Sequence, residues 1–402
     1  MNMKIILNTI FFLSVAVCFS QTTVGSGISI LQGTQVSVLD NLNITSGHSV
    51  VNDGELVFKA NITNNGAFTY SPSLNTGKLS FEGSDQEISG ENLIISNNVL
   101  FNNESTLLSG KLEVNNDADF TSGIVNTQDF GGTLVFNELS DHLNTSNVSF
   151  VNGQVLRNGA LDFVFPIGDT DFYRPIAISS LASFNVFSSS YTPENSNDLF
   201  PHAQKSTVIE LIDNREYWEL TRTEGEDFAV IEISRDPTTS SVEIMNADLN
   251  ALHIVRWDAE RNFWLDEGGV VNTDNDAIRT VSNVKGYGIY ALAIINTEVV
   301  LPGNVIVYNN LTPNGDGIND MFMIDGIEEF PDNKVQIFNR WGAVVYEVSG
   351  YNNKDKAFTG SANSGLSIGQ GILPSGTYYY TILYTVDNQV VRRLQFLYIN
   401  GK

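Results

Sequence analysis

The stretch VSVLDNLNITSGHSVVNDGELVFKANITNNGAFTY, residues 36–70, gives the clearest indication of the fold class. Apolar and polar residues alternate in short runs, which is the two-residue period of strands with one buried face. Asn, Asp and Gly separate the runs and mark tight turns. Similar runs recur roughly every 10 to 25 residues as far as about residue 165, with almost no helix signal. This pattern predicts a β-solenoid, and the irregular spacing leaves an irregular β-sandwich as the alternative.

Net charge limits the partners of the chain. Among 402 residues, 21 Lys and Arg stand against 46 Asp and Glu, a formal net charge of −25. Such an acidic balance disfavours nucleic acid and anionic membrane surfaces as partners, and it suits a chain that meets divalent cations outside the cell. The hydrophobic fraction of 42% is ordinary for a chain that folds.

Residues 1–20 have the features of a secretory signal peptide. Lys4 gives a positive start, residues 5–17 are mostly apolar, and Ser20 is a small residue at the expected cleavage position. The apolar run is too short for a membrane-spanning helix, and no later segment is long and apolar enough to be one. Cleavage after Ser20 removes the single cysteine, Cys18, and with it any disulfide or cysteine-based zinc site. Lipidation of Cys18 is the alternative.

The pattern changes at residues 161–178, LDFVFPIGDTDFYRPIAI, where two prolines and a Gly-Asp turn interrupt the repeat. Longer alternating runs continue to about residue 300, and the turn at 258–261 predicts a hairpin. We therefore expect the repetitive unit to span 21–165 and a middle β-sandwich to span 166–300.

Three tryptophans lie on the predicted strands of this middle unit. Trp218, Trp257 and Trp264 fit the core of a sandwich, where aromatic side chains bury large areas. The alternative is that they are exposed and stack on sugar rings. Their burial or exposure therefore separates a structural unit from a carbohydrate-binding one.

Catalytic motifs are missing from the sequence. The four histidines, His48, His142, His202 and His253, have no second histidine or glutamate at metal-ligand spacing. There is no HExxH, no GxSxG, no P-loop and no glycine pattern for a dinucleotide. We therefore expect that the chain is not an enzyme. The loop GDTD at 168–171 fits a plain turn, with calcium binding as the alternative.

The loop LTPNGDGIND, residues 311–320, is rich in side-chain oxygens. Its spacing fails the EF-hand pattern, which needs a glycine and a final glutamate at defined positions. A shorter calcium loop would use Asn314, Asp316 and Asp320 as ligands. The alternative is a turn in which the two glycines adopt positive φ and the Asn and Asp side chains bond the backbone. No other cofactor is expected.

The last hundred or so residues contain an ordered series of motifs that is specific enough to indicate a family. The motifs come in the order TPNGDGIND at 312–320, FPDNKVQIFNRWGAVVYE at 330–347, GY at 350–351, FTG at 358–360, LPSGTYYYTILY at 373–384 and LQFLYI at 394–399. This order resembles the gliding motility-associated C-terminal domain family, the type B sorting domain of the type IX secretion system. Phe358 stands where the family commonly has tryptophan.

The strand pattern agrees with that resemblance and suggests where recognition could occur. About seven short strands over 303–402 fit an Ig-like β-sandwich, with a hairpin turning at 387–388. Recognition would use an exposed strand or loop surface. The candidate recognition residues are Arg340, Trp341, Gly342, Tyr378, Tyr379, Tyr380, Arg392 and Arg393. For Trp341 and the three tyrosines, packing in the core is the alternative.

The resemblance implies a route out of the cell. We expect a secreted or cell-surface protein at the exterior of the outer membrane, whose partners are the type IX outer-membrane translocon and a shuttle or anchoring barrel protein. Its passenger would be an adhesin or a gliding-motility accessory that contacts other surface adhesins. The alternative is a secreted carbohydrate-binding module or polysaccharide-degrading enzyme with an extracellular glycan as partner. The segments FPIGD…YRP and REYWELTRT also resemble regions that accompany such domains.

Overall fold

The computed structural model describes most of the chain after the signal segment. About 52% of residues lie in strands and 4% in helices, which confirms the all-β fold class. No helix within the described ranges is long and apolar enough to cross a membrane. The predicted signal peptide, 1–20, lies outside these ranges. The described residues are 21–169, 171–206, 208–272, 275–296, 298–315, 319–364 and 373–400.

The N-terminal unit is a β-solenoid of about seven turns, so the solenoid prediction is confirmed over the irregular sandwich. A complete coil contributes three short strands, and each strand pairs in parallel with strands of the neighbouring coils. The strands are β1 Gln21–Val24, β2 Ile28–Ile30, β3 Gln35–Val38, β4 Asn41–Ile44, β5 Ser49–Asn52, β6 Glu55–Phe58, β7 Ile62–Asn64, β8 Ala67–Thr69, β9 Lys78–Phe81, β10 Asp85–Ser89, β11 Ile94–Ser96, β12 Asn98–Leu108, β13 Lys111–Val114, β14 Asp117–Asn126, β15 Thr133–Phe136, β16 Asp141–Leu143, β17 Val151–Asn152 and β18 Val155–Gly159.

A ladder of phenylalanines runs through the solenoid core. Phe58, Phe81, Phe101 and Phe120 are register partners on successive coils. Their ring centroids are 5.5, 5.7 and 5.1 Å apart, and all four side chains are fully buried. Alternation puts every second residue of a strand inside, and parallel stacking then puts like residues on one another. The core is therefore extended by each added coil.

The middle unit is antiparallel. Its elements are β19 Phe163–Phe165, β20 Ile167–Asp169, β21 Phe172–Tyr173, β22 Ile176–Ile178, β23 Asn185–Thr192, β24 Ile209–Ile212, β25 Tyr217–Glu224, β26 Ile231–Ser234, α1 Val242–Asn246, β27 Leu252–Asp258, β28 Phe263–Asp266, β29 Val270–Asn272, β30 Ala277–Arg279, β31 Gly288–Ile295 and 3-10 turns at Ser196–Asp198 and Leu249–Ala251. A five-stranded sheet, β19-β22-β26-β30-β29, packs against strands that continue a solenoid sheet through the β18–β23 pair. One hydrophobic core therefore runs through both units.

A buried ion pair joins two motifs of the middle unit. Arg174, from the YRP segment, donates from Nε and Nη2 to the two carboxylate oxygens of Glu216, each at 2.9 Å. Tyr191 donates its hydroxyl to Glu216 at 2.9 Å, and the Trp218 indole donates to the Arg174 carbonyl at 2.9 Å. Both charged side chains are almost fully buried, and removal of either one would leave the other as an unpaired buried charge. The two motifs, distant in sequence, form one structural unit.

The C-terminal unit is a sandwich of two sheets around a core of its own. The sheets are β32-β33-β35 and β34-β39-β38-β36-β37, and side chains from both meet in one hydrophobic cluster. Seven described strands lie within 303–402, and β32 precedes them and pairs with β33. The elements are β32 Glu298–Leu301, β33 Val305–Tyr308, β34 Asn310–Leu311, β35 Ile324–Asp325, a 3-10 turn Ile327–Glu329, β36 Lys334–Phe338, β37 Val344–Ser349, β38 Gly376–Val386 and β39 Gln389–Ile399.

The end of β39 contacts the middle unit through a polar cluster. Tyr398 donates its hydroxyl to the Asp266 carboxylate, and His253 Nδ1 lies 2.8 Å from the other oxygen of that carboxylate. The His253 and Tyr398 rings meet edge to face with centroids 4.8 Å apart. Burial alone would raise the pKa of Asp266, but the charge of His253 and the hydrogen bonds outweigh it and hold that pKa below its usual value.

Candidate functional site

The loop at 311–320 closes on itself by hydrogen bonds. Gly315 has φ of 81° and donates its N–H to Asp320 Oδ1 at 2.6 Å. Thr312 donates its N–H to the Asn319 carbonyl at 2.7 Å, and Asn319 has φ of 52°. Left-handed backbone of this kind favours Gly and Asn, which explains their density here.

The calcium prediction for this loop remains a prediction. Asp316 lies outside the described residues, between Gly315 and Asn319. Asn314 donates its N–H to the Thr312 carbonyl at 2.7 Å, so it belongs to the turn. No cluster of three or more His, Cys, Asp or Glu side chains that could hold a metal occurs in the described part of the chain.

A long hairpin, β38–β39, dominates the C-terminal unit. Its strands pair over eleven register positions, from Gly376 opposite Ile399 to Val386 opposite Gln389. Asp387 and Asn388 form the two-residue turn with φ of 49° and 61°. Two positive φ values in a row are typical of a type I′ turn, whose twist matches that of the strands. The hairpin turn predicted at 387–388 therefore lies where expected.

The tyrosines of β38 divide between the two faces of the hairpin. Tyr378 and Tyr380 are buried in the sandwich core, where their hydroxyls donate to the Pro374 carbonyl at 3.0 Å and to Asn309 Oδ1 at 3.1 Å. Burial raises the pKa of both hydroxyls, so they stay protonated as donors. Tyr379 points the other way and is 41% exposed. Of the three, only Tyr379 can meet a partner directly.

The outer face of the hairpin exposes apolar side chains beside an arginine. Leu383 and Arg392 are register partners there, as are Tyr379 and Phe396, and Leu394 lies between these pairs opposite Thr381. Leu383 and Leu394 are both exposed. Arg392 and Arg393 are exposed on opposite faces of β39. We call the outward side chains of β38 and β39 the hairpin face.

One edge of β39 is open. The strand β34 pairs with β39 only at Tyr398 and Ile399, and from Gln389 to Leu397 the described residues pair with β39 on the β38 side alone. Tyr398 donates its N–H away from β38, to the Asn309 carbonyl at 2.8 Å. Strand alternation then points the N–H and C=O groups of the even-numbered residues from 390 to 396 at the open edge. This edge can accept an added strand.

A second exposed feature is the turn between β36 and β37. Asn339 holds the turn, because its side-chain oxygen accepts the N–H of Trp341 and of Ala343, each at 3.0 Å. Gly342 supplies a left-handed residue with φ of 79°. Trp341 is 75% exposed, and the Arg340 guanidinium lies 4.4 Å from the centroid of a Trp341 ring. The turn therefore presents a fixed aromatic and cationic pair to solvent, outside the core.

Comparison with known families decides what this unit is. Residues 305–399 match the family model of the CHU_C type IX secretion signal domain. The C-terminal unit is a type IX secretion signal domain. The suspected C-terminal sorting domain is thereby confirmed over residues that include the open edge and the Trp341 turn. No curated protein and no solved structure matches the chain.

The sequence departs from the family pattern at Phe358, and this side chain still fills the core of the secretion signal domain. Phe358 is fully buried, 4.8 Å from the Tyr346 ring between centroids. Its backbone N–H donates to the Tyr351 hydroxyl at 3.0 Å, and Gly360 keeps a left-handed φ of 81°. An aromatic ring of smaller size than tryptophan therefore occupies the position without disturbing the next turn.

Charge separates the secretion signal domain from the rest of the chain. Residues 303–402 contain seven Lys and Arg and nine Asp and Glu, a net of −2, so that residues 1–302 carry −23 of the total of −25. A nearly neutral domain with exposed arginines can approach surfaces that repel the acidic passenger.

The three tryptophans of the middle unit are not a sugar-binding platform. Trp218 and Trp264 are fully buried and donate their indole N–H groups to the Arg174 carbonyl at 2.9 Å and the Phe200 carbonyl at 3.0 Å. Trp257 is also buried and packs edge to face on Trp264 at 5.7 Å between centroids. Their placement is that of core residues.

The sequence did not reveal two parts of this site. Leu383 could have been found, because it alternates with buried residues on β38, whereas the neighbours of Leu394 on β39 are exposed or half-buried. The open edge of β39 could not, because the order of strands in a sheet depends on which segments meet in space.

The loop GDTD is partly outside the described residues at Thr170, and Asp171 donates its N–H to the Asp169 carbonyl at 2.6 Å.

Proposed function

We propose that the secretion signal domain is read by the export machinery through the open edge of β39, the hairpin face and the Trp341 turn. The domain itself supports export by the type IX secretion system and a secreted or cell-surface location. The observation that carries the proposal is the edge of β39, within the matched residues 305–399, to which no described strand pairs from Gln389 to Leu397. Partners of this surface would be the outer-membrane translocon and a shuttle or anchoring barrel protein, whose strands could extend the sheet.

The passenger, in this proposal, is a non-enzymatic adhesin or gliding-motility accessory displayed outside the outer membrane. An extended solenoid gives a rigid spacer, and its repeated coils offer long surfaces for contact. Glu216, a carboxylate without solvent access, is bonded to Arg174, Tyr191 and Ser240, so it serves structure. A carbohydrate-binding passenger would need side chains other than Trp218 and Trp264.

A reporter fusion tests the export route. A periplasmic reporter carrying residues 298–402 is expressed in a host with a working type IX system, because β32 belongs to the sheet of the signal domain. We expect the reporter in the medium or on the cell surface. Retention of a folded, protease-resistant fusion in the periplasm would refute the route. The same fusion in a host without the system is the control.

Substitution of Leu394 by proline tests the β39 edge. The N–H of this residue points away from β38, so proline removes an edge donor and leaves the hairpin ladder intact. Leu394→Ala is the matched control, which removes the same side chain and keeps the N–H. We expect export of the proline variant to fall about tenfold relative to the alanine variant, since one or two backbone hydrogen bonds are lost. Equal export of the two folded variants would contradict reading by strand addition.

The Trp341 turn is tested separately by Trp341→Ala. Because the side chain is exposed, its removal should leave the thermal stability of the domain within about 0.5 kcal/mol of the wild type. We expect slower export from loss of an aromatic anchor. Lys354→Ala, at an exposed position between β37 and β38 and outside the proposed surface, serves as the control. Wild-type export of the Trp341 variant would remove this turn from the proposed surface.

A further inference from the structure

The first coil of the solenoid leaves part of its core uncovered. In the register, Ile28 of β2 lies over Val50 of β5, and Val36 of β3 lies over Leu56 of β6. Val50 and Leu56 are each only 2% exposed, whereas Ile28 and Val36 are 40% and 42% exposed. These are core positions of the ladder that lack a further coil to cover them. They are uncovered because the stack, over the described residues, begins here.

The uncovered end forms an apolar groove. Leu31 and Leu39 flank the end strands and are 66% and 71% exposed. Together with Ile28, Val36 and neighbouring residues they line a groove of about 670 Å³. Solenoids normally end in a capping repeat with a polar outer face, because an exposed core end is insoluble. Exposed apolar patches of this kind mark interaction sites.

The backbone at this end is unprotected as well. β1, β2 and β3 pair with the second coil through β4, β5 and β6, and their other edges have no partner strand in the described ranges. Natural edge strands usually carry Lys, Pro or inward charges that prevent pairing with another chain. Residues 21–40 contain no lysine, arginine or proline, and their one charge is Asp40.

The opposite end of the solenoid is closed by the chain itself. There β18 pairs in antiparallel fashion with β23 of the middle unit, and the buried core continues into Ile176 and Phe187. A second copy therefore finds no open end at that side on which to stack head to tail. Within the described residues the stack is open at this end alone, so two copies can stack end on end only head to head, which is a closed two-fold arrangement.

From these observations we propose that the first coil, residues 21–40, binds the first coil of a second copy of this chain in a closed head-to-head dimer. A two-fold axis across the end sets end strands of the two copies antiparallel and buries the groove of each against the other. The near absence of charge matters, because the rest of the passenger carries most of the net charge of −25 and repels the passenger of a second copy. The proposal does not depend on how the signal domain is recognised.

The size of the end predicts the strength of the dimer. One coil end is a small contact surface, so the dimer falls in the weak, transient class of interfaces. We expect a dissociation constant on the order of 10 µM, and tighter association at higher ionic strength, since salt screens the repulsion between the two acidic chains. At the cell surface, tethered copies would reach such concentrations locally.

Analytical ultracentrifugation of the mature chain, beginning at Gln21 and tagged only at its C-terminal end, tests the proposal. We expect the wild type to double its mass between about 1 and 200 µM. Leu31→Lys combined with Leu39→Lys should remain monomeric over that range, because two charges then face two charges. A wild type that is monomeric throughout would overturn the proposal.

Control substitutions at exposed leucines elsewhere on the chain test whether the contact lies at the open end. Leu199 and Leu139 are 67% and 76% exposed, comparable to Leu31 and Leu39, but they lie away from the first coil. Leu199→Lys combined with Leu139→Lys should dimerise as the wild type does. The proposal would be overturned if the variant with Leu31→Lys and Leu39→Lys still dimerised while the variant with Leu199→Lys and Leu139→Lys did not. Circular dichroism and melting of each variant verify that the fold is retained.

Discussion

The solenoid and the secretion signal domain use the same alternating pattern to build opposite kinds of sheet. In the solenoid, most strands are three to five residues long and stack in parallel, and like residues such as Phe58 and Phe81 lie on one another. In the signal domain, two eleven-residue strands joined by a two-residue turn pair antiparallel and sort their tyrosines by face. The length of the connection between strands, more than the composition of the strands, therefore decides which strand each one pairs with.

The two regions also differ in how their cores are connected. The solenoid and the middle unit share one hydrophobic cluster, whereas the signal domain has a separate one. A third, smaller cluster contains Tyr398 of β39 together with Val255 and Trp264 of the middle unit. We therefore expect two cooperative unfolding transitions, one for the passenger and one for the signal domain, coupled through this contact.

The largest expected change in stability tests whether the two cores unfold separately. Phe101→Ala removes a fully buried ring from the middle of the phenylalanine ladder and should lower the free energy of unfolding of the passenger by about 3–5 kcal/mol. The signal-domain transition should stay in place. Tyr380→Ala is the reciprocal change. Chemical denaturation followed by separate probes checks both, and equal shifts of both transitions by either variant would contradict separate cores.

A pH-dependent effect on stability is expected in the passenger. Burial, and next the Glu216 carboxylate, raise the pKa of Asp213 from 3.8 to about 6. Between these values the folded chain holds a proton that the unfolded chain has released, so the contribution of Asp213 to stability is fully present below about pH 4 and is lost as pH rises through about 6. Relative to Asp213→Asn, the wild type should lose about 3 kcal/mol across this window.

Denaturation at several pH values measures that difference. Asp198→Asn, at an exposed position of the same unit, is the control and should leave the pH profile unchanged. A wild type and an Asp213→Asn variant with parallel profiles would show that folding does not raise the pKa of Asp213.

A more modest change tests the contact between the two regions. Tyr398→Phe removes the hydroxyl that donates to the Asp266 carboxylate and should cost about 2 kcal/mol, as expected for a buried hydrogen bond to a charged group. We expect the coupling between the two transitions to weaken and hydrogen exchange to rise in β28 and at the end of β39. Protection unchanged at both places would mean that the apolar contact alone holds the units together.

Substitutions in the β38–β39 turn should have the smallest effect on stability. Asp387→Asn combined with Asn388→Gly gives the sequence that a type I′ turn favours and should stabilise the signal domain by about 0.5 kcal/mol. Asn75→Gly, at a left-handed position in the solenoid, is a matching change in the other region. Thermal melting measures both. Destabilisation of the signal domain would show that the side chains of Asp387 and Asn388 contribute more than the backbone conformation.

Much of the fold was predictable because it depends on local chemistry. Alternation in 36–70 predicts strands, and Asn and Gly predict the turns, since these residues adopt positive φ at little cost. The order of motifs from 312 to 399 predicts the secretion signal domain. The core positions of Tyr378 and Tyr380 result from alternation once the hairpin is located, but the exposure of Trp341 results only from its place in a turn.

Local sequence was enough to predict the all-β class, the acidity of the passenger and the identity of its last domain, because each depends on residues close together in the chain; it favoured the solenoid but left an irregular sandwich open. The folded arrangement was needed to establish which strands have open edges, that Arg174 pairs with Glu216, that Tyr398 reaches Asp266, and that the first coil is uncovered. These features depend on contacts between segments far apart in sequence, which no local pattern encodes. The surfaces proposed for recognition and for self-association both belong to this second group.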